Sequence, residues 1–153
     1  MKMRWLVYIA AYLLWFLTLG LGLVSLIITR QNIPALIATL FIQEAYYARQ
    51  WAIVFDRVLL FGGGVAWVAL MVIAEHIYRA GVTNGSLWKW AARINGVLLL
   101  MIFVADISPI FMTGVQGVPA MRWLILFGEI ALGTLLLVLS KRLVKKDLVQ
   151  DSG

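Results

Sequence analysis

Four long apolar segments constrain the fold of this chain more than any other feature. They cover about residues 5–28, 58–78, 94–112 and 121–139. An α-helix rises 1.5 Å per residue, so about 20 apolar residues cross a hydrocarbon core of ~30 Å. The sequence therefore predicts an all-α integral membrane protein, with a four-transmembrane-helix bundle as its single domain over residues 1–153.

Composition excludes the other main classes of protein. The chain is 63% hydrophobic and 13% charged, whereas soluble domains are about 45–50% apolar and about 25% charged. It has no cysteine, which excludes disulfides, iron–sulfur clusters and cysteine-linked haem. Its net charge of +6 is concentrated at the ends of the apolar segments, which is typical of contact with a membrane surface. We therefore predict no nucleic-acid partner.

The segment between the first two spans, residues 33–55, does not fit a simple crossing. Its apolar part is too short to span a membrane, and Pro34 lies near its start. Polar residues then interrupt it, namely Gln43, Glu44, Arg49 and Gln50. Short apolar stretches of this kind are typical of helices that lie at the membrane surface. The sequence therefore predicts a short interfacial helix between helices 1 and 2.

Basic residues predict the orientation of the helices. With four spans, one side carries both termini and nine basic residues: Lys2, Arg4, Arg79, Lys89, Arg93, Lys141, Arg142, Lys145 and Lys146. The other side carries four: Arg30, Arg49, Arg57 and Arg122. Lysine and arginine favour the cytoplasmic side of a membrane, so we predict a bacterial-type plasma (inner) membrane with both termini cytoplasmic. Aromatic residues fall at the expected inner boundary, namely Trp5, Tyr8, Tyr78, Trp88 and Trp90.

Three carboxylates lie within apolar segments and are candidates for function: Glu75, Asp106 and Glu129. Charges inside a membrane are costly and often mark ion or proton pathways. Counted along the predicted helices, Asp106 and Glu129 lie at equal depth, which favours a shared proton or a cation site. The alternative is a structural role, with protonated carboxyls or an arginine from a neighbouring subunit, because no basic residue of this chain is predicted at that depth.

His76, the single histidine, ends the second span beside Glu75. A neutral imidazole can ligate the metal of a haem or a chlorophyll-type pigment, or bond a quinone carbonyl. The simpler interpretation is a polar helix end, so we expect no cofactor, no metal ion and no catalytic residue. Motifs for hydrolases and nucleotide-driven pumps are absent from the sequence.

Small residues indicate where helices pack closely. The second span contains Gly62, Gly63, Gly64 and Ala66, and the third contains Ala92 and Gly96. Residues of this size at four-residue spacing let helix backbones approach each other in a membrane. We therefore predict helix contacts at both places, within the chain or with a partner.

Three functions remain open at this point. The first is a non-enzymatic accessory subunit of a larger membrane complex, for which a respiratory or photosynthetic electron-transport complex is the favoured host. Its partners would be other integral membrane subunits and lipids. The second is a small homo-oligomeric proton or ion channel or transporter that uses Asp106 and Glu129. The third is a haem- or pigment-binding protein that uses His76.

The charge distribution generates a test of topology. Because the chain lacks cysteine, Lys2→Cys and Lys146→Cys each introduce one labelling site. We expect neither site to react with an impermeant maleimide added from outside intact cells, and both to react after the membrane is opened. Labelling of either terminus from outside would contradict four spans with both ends cytoplasmic.

Overall fold

The computed structural model is all-helical and describes residues 2–41, 45–113 and 119–150. Its four helices are α1 (Lys2–Phe41), α2 (Ala45–Thr83), α3 (Leu87–Thr113) and α4 (Ala120–Gln150). Each contains a stretch that is long and apolar enough to cross a membrane: Trp5–Asn32, Arg49–Thr83, Leu87–Ile110 and Ala120–Leu143. The prediction of a multi-pass helical membrane protein is therefore confirmed.

The connection between the first two spans differs from the prediction. In place of a separate short interfacial helix over residues 33–55, residues 33–41 continue α1 and residues 45–55 begin α2. Residues 42–44 lie outside the described residues, as do residues 114–118 between α3 and α4. α1 has 40 residues and is about 60 Å long, twice the thickness of the hydrocarbon core. A helix of this length continues past the end of its apolar segment, so polar residues do not mark its end.

The four helices form an open row and not a closed bundle. α1 packs extensively against both α2 and α3, and α3 packs extensively against α4. The contact between α2 and α3 is smaller, and in the described parts of the chain α4 contacts α3 alone. The order across the row is therefore α2, α1, α3, α4, with α2 also touching α3. Most of the circumference of α4 is left without a neighbour from this chain.

Two tryptophans fix the register of α1 against α2. The indole Nε1 of Trp15 donates a hydrogen bond to the carbonyl oxygen of Met71 at 3.0 Å. In return, Nε1 of Trp67 donates to the carbonyl oxygen of Leu19 at 3.1 Å. Buried indole N–H groups need an acceptor, so this reciprocal pair satisfies both rings and holds the helices antiparallel.

The same antiparallel register brings Arg30 of α1 onto Asp56 of α2. Nε of Arg30 lies 2.6 Å from Oδ1 of Asp56, and Nη2 lies 3.1 Å from Oδ2. Two parallel bonds of this kind are the strongest geometry for an arginine–carboxylate pair. Both side chains are exposed, so the pair sets the alignment of the helices more than their stability.

The core contains a closed ring of hydrogen bonds among Thr18 (α1), Tyr78 (α2) and Asn95 (α3), all of which are buried. The hydroxyls of Thr18 and Tyr78 are 2.6 Å apart. Oγ1 of Thr18 lies 3.0 Å from Oδ1 of Asn95, and Nδ2 of Asn95 lies 3.4 Å from the Tyr78 hydroxyl. Each side chain can donate to one neighbour and accept from the other. Tyr78, expected at the membrane boundary, is thus a core residue because its hydroxyl finds its partners inside.

The closest contact between α3 and α4 involves two glycines. A Cβ atom at Gly96 would lie 3.0 Å from the carbonyl oxygen of Gly133 and 3.1 Å from Cγ of Leu137. Backbone atoms cannot give way as a flexible side chain can. Glycine at residue 96 therefore lets α3 and α4 approach closely, and a larger side chain there would push them apart.

The other small residues predicted to pack occupy different environments. A side chain at Gly63 would meet the side chain of Leu26 on α1, whereas the corresponding positions at Gly62 and Gly64 have no neighbour within 4 Å. Ala66 is exposed, and Ala92 is half-buried. Within this chain, Gly63 alone of the three consecutive glycines faces α1.

The glycine contact between α3 and α4 generates a test with a matched control. Gly96→Leu should lower the free energy of unfolding by about 1–3 kcal/mol, because overpacking forces α3 and α4 apart. Gly62→Leu makes the same change on an open surface of α2 and should have no such cost. Thermal unfolding in detergent micelles measures both. Equal stability of the two variants would contradict the close α3–α4 contact.

Candidate functional site

The charged residues of the membrane segments are brought together where α3 meets α4. Nη2 of Arg122 lies 3.0 Å from Oδ1 of Asp106 and also donates to the carbonyl oxygen of Asp106 at 3.1 Å. The two side chains are partly buried, with 34% of Arg122 and 20% of Asp106 exposed. The expectation that no basic residue of this chain reaches Asp106 is therefore wrong. Asp106 is seven residues from the end of α3, and Arg122 is two residues after the start of α4. Both therefore lie near the same end of the membrane-spanning segments.

A third helix reaches the same place. Nδ2 of Asn32, on α1, donates to the carbonyl oxygen of Ala105 at 3.1 Å. This bond joins α1 to α3 one residue away from the Asp106–Arg122 pair. Three helices therefore meet at the ion pair, and the pair belongs to the packing of the protein as well as to its charge distribution.

Glu129 lies deeper in the membrane segment than Asp106. Gly133 packs on Gly96 and on Leu100, so Glu129, one turn earlier on α4, falls near Leu100. Asp106 is six residues further along α3, which corresponds to about 9 Å. The predicted equal depth is corrected because α3 begins at residue 87, not at residue 94. Glu129 nevertheless interacts electrostatically with both Asp106 and Arg122.

Two polar atoms of this cluster have no partner. Oε2 of Glu129 and Nε of Arg122 are buried, and neither forms a hydrogen bond with any described residue. A buried polar atom without a partner costs about 1–3 kcal/mol, and the cost is larger in hydrocarbon, where water is absent. The cluster of two carboxylates and one guanidinium therefore has unused hydrogen-bonding capacity at the edge of the α3–α4 contact.

The described residues offer no obvious metal site. No group of three or more histidine, aspartate or glutamate side chains lies close enough to hold an ion in this part of the chain. The cluster instead suits interaction with hydrogen-bond donors, because Glu129 has an acceptor oxygen to spare.

Glu75 and His76 lie away from this cluster, at the opposite end of the membrane segments. Oε1 of Glu75 is 3.5 Å from Nη1 of Arg79, and His76 is exposed. Together with Tyr8 of α1 they line an open groove of about 590 Å³. The binding of haem, a pigment or a quinone by His76 stays a prediction.

Comparisons of the chain with known protein families, curated proteins and solved structures gave no match. Sequence reasoning missed Arg122, Asn32 and Gly133 at the site. For Arg122 the signal was present, since it lies close to an apolar segment, but it was assigned to the membrane surface. Nothing in the sequence distinguished Asn32 or Gly133.

The Asp106–Arg122 pair generates a test by double-mutant cycle. Asp106→Asn and Arg122→Met should each lower the free energy of unfolding, by about 1–3 kcal/mol, because each leaves a partly buried charge without its partner. The double variant should lose clearly less than the sum of the two single losses.

The Arg30–Asp56 pair is the control for this cycle. It has the same residue types and comparable distances, but it is more exposed, so its coupling should be clearly smaller than that of Asp106 and Arg122. Unfolding in detergent micelles gives both coupling energies. Additive effects at Asp106 and Arg122 would mean that the ion pair does not stabilise the α3–α4 contact.

Proposed function

We propose that the protein is a non-catalytic accessory subunit of a larger membrane complex, and that electron-transport complexes are the first hosts to test. This proposal rests on the environment of the Glu129 carboxyl group. It lies within an apolar span, and its buried Oε2 has no hydrogen-bond donor among the described residues. Oε2 is enclosed by this chain, so a donor from outside would reach the other carboxyl oxygen of this half-buried side chain. A carboxyl group in hydrocarbon needs a partner, and a neighbouring subunit can supply one.

The surface beside Glu129 suits a helix from another subunit. Ile125 and Leu132 lie one turn before and one turn after Glu129 and are 48% and 54% exposed. They flank the contact with α3, about a quarter of a turn around α4 from Gly133. Gly128 lies on the same side, and a side chain there would meet nothing within 4 Å. A small residue at this position allows another helix to approach closely and to place a donor near Glu129.

The ion pair favours this proposal over a proton or ion channel. A channel built on Asp106 and Glu129 needs the two carboxylates to exchange protons or to bind a cation together. Asp106 is instead held by the guanidinium of Arg122, and it lies about 9 Å from the level of Glu129 along the helix axis. A carboxylate that is paired with a guanidinium stabilises the contact between α3 and α4 and is poorly suited to exchanging protons or binding a cation.

The test is the size of the assembly extracted by a mild detergent from the native membrane. We expect the wild-type chain to migrate with other polypeptides in a complex much larger than a single chain. Gly128→Leu should release it, because the larger side chain blocks the proposed helix contact. Gly20→Leu, on an exposed face of α1 with nothing within 4 Å, is the matched control and should leave the complex intact.

Other results would support the competing functions. A pure homo-oligomer that conducts protons or cations in liposomes, and loses this flux in Asp106→Asn and Glu129→Gln, would establish the channel. A visible absorption band that disappears in His76→Ala would establish a haem- or pigment-binding protein. Either result, or migration of the wild-type chain as a monomer, would contradict the accessory-subunit proposal.

A further inference from the structure

A groove of about 590 Å³ opens between the beginning of α1 and the end of α2. It is separate from the Glu129 cluster and lies at the opposite end of the membrane segments, where α1 begins. Polar side chains line it: Tyr8 from α1, and Glu75, His76, Arg79 and Thr83 from α2. This mixture of a cation, an imidazole and hydroxyls differs from the apolar surfaces that surround the rest of the helices.

Arg79 is the main hydrogen-bond donor of the groove. Its side chain is 65% exposed, and its Nη1 lies 3.5 Å from Oε1 of Glu75. At that distance the two groups attract each other electrostatically but do not form a hydrogen bond. The five N–H donors of the guanidinium are therefore available to another acceptor.

Two further donors face the same space. The Tyr8 hydroxyl and a ring N–H of His76 can each donate one hydrogen bond, and both side chains are exposed. Thr83 contributes only acceptor capacity, because its hydroxyl donates to the carbonyl oxygen of Ala80 at 2.8 Å. A guanidinium with neutral donors beside it is the set of groups that binds phosphate oxygens.

The groove changes from polar to apolar along the helix axis. Val72, which also lines it, is one turn further into the membrane than Glu75 and His76 and is 62% exposed. A ligand that fills the groove therefore meets charged groups at one end and hydrocarbon at the other. A phospholipid has this polarity, whereas free phosphate does not.

The surroundings of the groove are basic. Arg79 lies in the groove itself. The sequence adds Lys2 and Arg4 shortly before Tyr8. Basic clusters beside membrane helices attract anionic lipids, with about 1 kcal/mol for each lysine or arginine. The net charge of the phospholipid in the groove should therefore be negative.

We propose that this groove binds the phosphate headgroup of an anionic phospholipid, with Arg79 as the principal ligand and His76 and Tyr8 as supporting donors. Glu75 opposes binding, since its carboxylate repels the phosphate and competes for Arg79. The proposal does not depend on the accessory-subunit function, because it concerns the opposite end of the membrane segments.

Native mass spectrometry of the full-length chain in detergent tests this directly. The probes are phosphatidylglycerol, which is anionic, and phosphatidylcholine of the same acyl chains, which is zwitterionic. We expect phosphatidylglycerol to be retained preferentially by the wild-type chain. Arg79→Gln should weaken its binding about fivefold, which corresponds to about 1 kcal/mol. Glu75→Gln should strengthen it, since the repulsive charge is removed.

Arg93→Gln is the control for a general effect of positive charge. Arg93 lies at the same end of the membrane-spanning segments as the groove. It is outside the groove, with its Cζ atom over the ring of Trp90 and 5.7 Å from the ring centroid. The affinity of the Arg93→Gln variant for phosphatidylglycerol should be within twofold of that of the wild-type chain. Circular dichroism should confirm that all variants are folded. Equal losses in Arg79→Gln and Arg93→Gln, equal retention of the two lipids, or displacement of the lipid by millimolar inorganic phosphate would each overturn the proposal.

Discussion

The hydrogen-bonded ring of Thr18, Tyr78 and Asn95 is the interaction on which the arrangement of the first three helices depends. Helices in a membrane are not driven together by the hydrophobic effect, because lipid is as apolar as their side chains. Polar groups in hydrocarbon must instead find partners in the protein. The ring satisfies three such side chains at once and fixes α1, α2 and α3 at a common level.

The fourth helix lies outside this ring, and its attachment explains the candidate site. α4 reaches the rest of the protein through α3 alone among the described residues, by the Gly96–Gly133 contact and the Asp106–Arg122 ion pair. Attachment to a single neighbouring helix leaves the rest of α4 uncovered, and Glu129 beside this contact has one carboxyl oxygen unpaired. Because α4 contacts only α3 in the described part of the chain, its remaining surface beside Glu129 is where we propose that another subunit binds.

Hydropathy was sufficient to predict four helices that are each long and apolar enough to cross a membrane, because length and apolarity are properties of local sequence. It did not predict where α1 and α2 end, because a helix continues past the hydrocarbon core. It also misplaced Tyr78, whose burial depends on hydrogen bonds to α1 and α3. The Arg122–Asp106 pair and the depth of Glu129 depend on the register between α3 and α4. That register is set by the packing of Gly96 against Gly133, which no single segment reveals.

The most direct test of the account is a photo-crosslink from α4 in the native membrane. A photoreactive amino acid at residue 132, beside Glu129, should form a covalent adduct with a different polypeptide. The same group at residue 127, where Phe127 is 65% exposed on the opposite side of α4, should react with lipid. Adducts from residue 132 with lipid alone, or with a second copy of this chain, would contradict the claim that the face beside Glu129 contacts another subunit.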